Sequence, residues 1–599
     1  MRRPTRHSLL ALALLALLTL PATAGERVPG DTWMRYRDVA QAGFDAARLE
    51  AAHQAWKAMP SSAFLVVADG AVVAAWGDVD RRFMCHSVRK SFLSALYGIY
   101  WDRGAIELNK TLADLGLDDE PDPLLPIEKQ ARILDLLKAR SGVFHPAAYA
   151  GRTDSQPRGS QGPGRYFAYN NWDFNTLAAI LKQETGAEVF TAFDQFFGQP
   201  LRMQDWRVSD GYYHYERDKS QFPAYPFRMS ARDAARFGLL FAREGVWGDQ
   251  RILSRQWVRR SSALYSIDND VMGYGFMWWI FREPRFERYG AYAAFGVGNQ
   301  MIAVLPDIDL VIVNRANTYD DQFTPGEALR ELIAQVLEAR TTAPLAEPDL
   351  VPLEAAAPDP QVTRVAPELL APFVGEWPDP PAPLHLPPQT TFTLTAGDGY
   401  LVGYSPLGGT FKLYLQPDGS FHQEDSYLRY VPVRDEAGKL AGVTDPTTVL
   451  LAAIHAAADG NRPRAQDLLA QAGDEGGLFT QVGRGIVDLL GGQAEKAQSA
   501  LQELITDSDR AQIERMVNSV GYNFLSDQKT ALARDVFALN TRLFPTSANA
   551  WDSLGEAQAN LGDNKAAIGS YQRSLELNPN SNNACKRIEE LSAKTMPSS

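Results

Sequence analysis

Phe83-Met84-Cys85-His86-Ser87-Val88-Arg89-Lys90-Ser91-Phe92-Leu93-Ser94-Ala95-Leu96-Tyr97-Gly98-Ile99-Tyr100 is a short apolar lead-in, then a serine opening a strongly apolar helix. Ser87 and Lys90 are three positions apart, so on a helix they share one face, about 5–6 Å apart at Cβ. A serine hydroxyl is a weak nucleophile until a neighbouring base takes its proton. Lysine, with an ordinary pKa of about 10.4, serves as that base when burial or a nearby cation holds it neutral. The helix N-terminus adds a positive end where an oxyanion forms. The spacing alone is not specific. A second copy, Ser526-Asp527-Gln528-Lys529, sits in a polar stretch that reads as a turn between helices. A buried helix, capped by its serine and with the lysine in solvent, is the plainer alternative.

Support comes from Tyr166-Phe167-Ala168-Tyr169-Asn170-Asn171-Trp172, which leads into a second apolar helix. A phenol such as Tyr169 beside a lysine moves protons, first as general base and then as general acid. An amide such as Asn171 holds a substrate carbonyl or the lysine. By itself this stretch reads as an aromatic core corner with an asparagine cap.

Together the two motifs resemble the penicillin-recognising serine hydrolases, closest to the class C β-lactamase-like branch with its esterases, D-amino-acid peptidases and nylon-oligomer hydrolases. The resemblance spans roughly residues 40–340 and includes Trp101-Asp102-Arg103-Gly104 and Leu136-Leu137-Lys138-Ala139-Arg140-Ser141-Gly142. It implies Ser87 as the acylated nucleophile, Lys90 as its base, Tyr169 as proton shuttle and Asn171 as a positioning amide. The family's third motif falls on Tyr292-Ala293-Ala294-Phe295-Gly296-Val297. Gly296 takes the place where substrate approaches backbone. The backbone N–H groups of Ser87 and Val297 are the implied oxyanion donors. Ala294 stands where the family places a basic residue, which argues against penicillins and D-Ala-D-Ala peptides as natural substrates.

The chain opens with Arg2, Arg3 and Arg6, an apolar run from Leu9 to Leu20, and Ala22-Thr23-Ala24. This is the pattern of a secretory signal, too short to span a membrane, so a periplasmic or secreted bacterial protein is expected. A net charge of −13 argues against nucleic acid and anionic membranes as partners. Cys85 and Cys585 fall in different expected domains, so no disulfide is expected, and Cys85 reads as a buried core thiol. The eight histidines show no metal-ligand spacing. No metal and no cofactor are inferred. His145 reads as a loop group at the surface.

Five parts are expected: a signal peptide over 1–24, a β-lactamase-like α/β hydrolase domain over 25–340, a Pro/Ala-rich linker over 341–366, a small antiparallel β domain over 367–446, and a helical region over 447–596. Within the hydrolase, 62–77 reads as a hairpin around Asp69-Gly70, pairing with the strands of 292–315, and 272–281 reads as one buried strand. In the helical region, Trp551, Gly555, Ala567, Tyr571 and Pro579 follow the tetratricopeptide pattern, and the frame recurs 34 residues earlier at Gly521, Ala533, Phe537 and Pro545. A further pair at 483–505 is degenerate. Such repeats expose a docking face for a protein or peptide; packing onto the chain's own hydrolase is the alternative.

These readings define a serine hydrolase acting on an ester or amide of a small molecule or peptide. Two rivals stay open: a β-lactamase or D,D-peptidase acting on cell-wall-type substrates, and a non-catalytic scaffold that recruits a partner through its repeats.

Overall fold

The structure is a computed structural model. It describes residues 27–595 apart from 150–155, 218, 319–321, 355–358, 380–389, 406–408, 425–427, 436, 474–477, 507–508 and 580. The leader expected over 1–24 lies outside the described residues.

Residues 63–77 form the expected hairpin. Asp69 and Gly70 take φ of 48° and 72°, the doubly left-handed turn whose twist suits paired strands. The hairpin belongs to a ten-stranded sheet. In chain order its strands are β1 (Met34–Tyr36), β2 (Ala63–Ala68), β3 (Ala71–Gly77), β4 (Ser266–Ile267), β5 (Met272–Tyr274) and β6 (Trp279–Phe281), then β7 (Tyr292–Gly296), β8 (Gln300–Leu305), β9 (Leu310–Arg315) and β10 (Leu350–Pro352). Across the sheet they run β10-β1-β3-β2-β9-β8-β7-β6-β5-β4. All pairings are antiparallel except β1 with β3.

The central strands are continuous apolar runs because both faces are covered. In β9, Val311 and Val313 enter one core, while Leu310 and Ile312 enter the other. Helices α1 (Ala46–Lys57) and α5 (Gly326–Ala339) cover the second face. Helices α2 (Arg89–Asp102), α3 (Asn171–Thr185) and α4 (Ala231–Ala242) belong to the first core. Helix α4 comes very close to the sheet: a Cβ on its Gly238 would lie 2.6 Å from Val311 Cγ1.

Two local readings change. Residues 272–281 form two strands, because Gly275 and Met277 reverse the chain. Met277 takes φ 61° and Gly275 N donates to Trp278 O at 2.8 Å. The stretch read as linker contributes β10, which zips onto β1. Pro352 suits this place, since an edge strand needs no further donor.

Downstream, a seven-stranded antiparallel sheet meanders in chain order from Gly375–Asp379 to Leu440–Thr444, with its first strand beside its last. Nine helices among the described residues follow, from Pro446–Ala458 to Asn582–Thr595. Val431 and Val433 of the meander are buried in the same core as Val449, Leu450 and Ile454 of the first of these helices. Successive helices pair through a glycine set against a large side chain. A Cβ on Gly521 would lie 2.3 Å from the Phe537 ring, and one on Gly555 would lie 3.1 Å from the Tyr571 ring. The degenerate pair follows the same rule, with Gly485 against Leu501 at 2.7 Å. The second Ser-x-x-Lys lies at a helix end, where Lys529 Nζ donates to Asp459 Oδ1 at 2.7 Å. No helix of the described residues is long and apolar enough to cross a membrane.

Candidate active site

Ser87 sits in a single 3-10 turn, His86–Val88, between the short strand Phe83–Met84 and helix α2. That strand pairs with Arg228–Met229, which fixes the entry to the turn. Helix α2 is pinned from its own sequence. Ser91 and Ser94 donate to the carbonyls of Met277 and Phe276, each at 2.7 Å, and Tyr97 donates to Leu177 O of α3 at 2.8 Å. These bonds tie α2 to the β5–β6 turn and to α3.

The Lys90 amine lies 2.6 Å from Ser87 Oγ and 2.6 Å from Tyr169 Oη. Lys90 is 1% exposed. Burial, and then the neighbouring Arg89 guanidinium, push its pKa well below the ordinary lysine range. A neutral amine beside a serine hydroxyl is a proton acceptor. Burial pushes the Tyr169 phenol up to about 12, against a smaller lowering by its hydrogen bond with Ser87. Tyr169 therefore carries its proton at neutral pH. Its ring stacks on Trp279 at 5.4 Å and meets Tyr274 edge-on at 5.8 Å, so its hydroxyl has little freedom to swing away.

Gly296 ends β7 against the turn that carries Ser87. A Cβ there would lie 2.4 Å from Cys85 O and 3.0 Å from Ser87 N. Only glycine lets the strand come this close. Val297 follows with its side chain 53% exposed. The structure thus brings Ser87, Lys90, Tyr169, Gly296 and Val297 around one cleft. Asn171 starts α3 beside them, but its Nδ2 donates to Tyr149 O at 2.6 Å. Asn175 Nδ2 donates to Ala148 O at 3.0 Å, so two amides of one helix hold the same loop. Ala294 is buried in β7 at 1% exposure and offers no charge.

Several neighbours carry no sequence signal. His86 has φ 47°. Its Nε2 lies 2.8 Å from Thr318 Oγ1 and its Nδ1 3.1 Å from Tyr149 Oη. Burial, Arg89 and Lys90 pull its pKa down to about 3, so the ring is neutral. Cys85 is buried, and burial pushes its thiol up to about 11, as expected of a core thiol. His145 departs from its expected surface place. Its side chain is fully buried, with the ring nitrogens 2.9 and 2.8 Å from the carbonyls of Pro146 and Asp122, and 3.5 Å from Asp119.

The cleft at Ser87 has a volume of about 340 Å³. Its far wall comes from Leu329, Arg330 and Ile333 of α5. The apolar spacing of α5 marks a helix with a core face, and nothing in it points to the nucleophile.

Residues 46–337 match the Beta-lactamase family model, and the fold of this part of the chain is β-lactamase-like. Among solved structures, a β-lactamase from Mycobacterium bovis aligns at 18% identity over 48% of this chain and 97% of its own, with a TM-score of 0.35. A penicillin-binding protein from Bacillus halodurans aligns at 18% identity over 48% and 98%, with a TM-score of 0.36. An octameric penicillin-binding protein homologue from Pyrococcus abyssi aligns at 15% identity over 65% and 97%, with a TM-score of 0.38. No curated protein matches the chain.

Proposed function

We propose that the chain is an exported serine hydrolase that cleaves an ester or amide through an acyl-enzyme at Ser87. The observation that carries this reading is the buried Lys90 amine, 2.6 Å from both Ser87 Oγ and Tyr169 Oη. Ser87 Oγ attacks the substrate carbonyl while its proton passes to Lys90. The oxyanion faces the backbone N–H groups of Ser87 and Val297, at the positive end of α2. As the tetrahedral intermediate collapses, Tyr169 gives its proton to the leaving group and regains one from Lys90. Water then attacks the acyl-enzyme with the same groups as base, which frees the acid and restores Ser87. Asn171 acts as a positioning amide by holding the Tyr149 carbonyl and so the loop beside the cleft. Export is supported by the basic, apolar and small-residue order of the first 24 positions.

The helical region is read as tetratricopeptide-type pairs that dock a protein or peptide. Its support is the 34-residue frame and the glycine-to-ring contacts at Gly521 and Gly555. It packs on the meander through strand Arg429–Arg434.

A fluorophosphonate probe followed by peptide mapping tests the assignment. One adduct on Ser87, lost in Lys90→Ala, is expected. A folded sample that takes no adduct at Ser87 overturns the reading and leaves the scaffold alternative.

A further inference from the structure

The wall of the cleft is mostly apolar, with Ser87, Tyr169, Asn299 and Arg330 as its polar members. It draws on Met272 of β5, Trp279 of β6, Phe295 of β7, and Leu329 and Ile333 of α5. Leu329 and Ile333 are one turn apart on the same helix face and each 1% exposed. Trp279 also stacks on Tyr169, so the apolar wall begins at the proton-carrying groups. Among the described lining residues Arg330 alone is charged, and its Nε lies 3.2 Å from Glu283 Oε2. A carboxylate entering here would shed its water and compete with Glu283 for that one guanidinium. Val297, which lines the cleft beside Ser87, is 53% exposed and adds a further apolar side chain.

We infer that the acyl part of the substrate is an uncharged apolar chain or ring, seated between β7 and α5 with its carbonyl at Ser87. The inference rests on the acyl-enzyme reading above and adds the substrate class to it. Each methylene buried against this wall contributes about 0.8 kcal/mol. If the transition state keeps that contact, each one raises kcat/KM by about three- to fourfold until the cleft is full.

The test uses the full-length protein and p-nitrophenyl acetate, butyrate, hexanoate and octanoate, with mono-p-nitrophenyl adipate as an anionic counterpart of the hexanoate. Expected are a stepwise rise in kcat/KM along the neutral series and a rate for the adipate at least about tenfold below the hexanoate. Met272→Asp should lower the octanoate-to-acetate ratio by about tenfold or more. A flat or falling series, or a faster adipate, overturns the inference while fluorophosphonate labelling of Ser87 leaves the acyl-enzyme reading standing. Loss of labelling at Ser87 would remove both.

Discussion

At the scale of single residues, the role proposed for Lys90 sets function against stability. Its pKa in the folded chain lies well below the ordinary value because of burial and Arg89. Between that lowered value and about 10.4 the unfolded chain holds a proton that the folded chain does not. Stability therefore rises with pH across this window and is lost as pH falls toward the folded value. Lys90→Met removes the burden, so its melting temperature at pH 7 should exceed that of the parent, while Ser87 labelling falls by about 10²- to 10⁴-fold. Calorimetry and labelling rates on one sample check both halves. The same shift fixes the sign of the pH profile. Labelling should rise with pH through the lowered Lys90 value and level off well before pH 10, as a rate-against-pH series would read. A plateau reached only near pH 10.4 would mean an ordinary lysine. Ser87, Lys90 and Tyr169 were legible in the sequence because spacing on a helix and a phenol before a helix are local patterns. Asn171 was expected to hold a substrate carbonyl or the lysine, and its bond to Tyr149 was not legible. Tyr149 sits in a loop held by long-range bonds to Asn171, Asn175 and Glu216, which no local pattern encodes.

Elements place these side chains. Strand β7 reaches the Ser87 turn because Gly296 has no Cβ to strike Cys85 O and Ser87 N. Gly296→Ala should push β7 back and misplace the Val297 N–H. A kcat lowered by about 10²- to 10³-fold is expected, as for loss of one oxyanion donor, with the folded content unchanged by circular dichroism. The hairpin at 63–77 was readable from its Asp-Gly turn and from the β-rich apolar runs on either side. The strand break inside 272–281 was hidden, since Gly275-Phe276-Met277-Trp278 is as apolar as its flanks. The positive φ at Met277 is held by tertiary contact: Met277 O accepts from Ser91 of α2. The wall helix α5 was hidden for a different reason. Its apolar face serves the core and the cleft at once, and sequence periodicity does not separate the two.

For the whole molecule, the β-lactamase-like sheet draws on the chain further along than its composition suggests. A Pro- and Ala-rich stretch looks like a tether, yet Leu350–Pro352 supplies the strand that covers β1. A chain cut after residue 354 should label at Ser87 at a rate within about threefold of the full protein. A chain cut after residue 340 should melt lower, by an amount worth about 1–3 kcal/mol, and aggregate through the bared β1 edge. Light scattering and melting curves of the two pieces distinguish them. The helical region was legible where glycine and aromatic residues alternate in a 34-residue frame. The pair built on Gly485 and Leu501 read only as degenerate because leucine replaces the ring and the spacing to the next pair is longer.

The order of strands also dictates how the protein must be made. Leu65 of β2 lies opposite Val313 of β9, so the inner edge of the first hairpin waits for a partner that leaves the ribosome some 250 residues later. At roughly 5–20 residues per second that wait lasts on the order of 10–50 s. Throughout it, an apolar strand with unpaired amides is open to any neighbouring nascent chain. The first hairpin is therefore the segment expected to need a holding chaperone, or to be kept extended, until synthesis has passed residue 315.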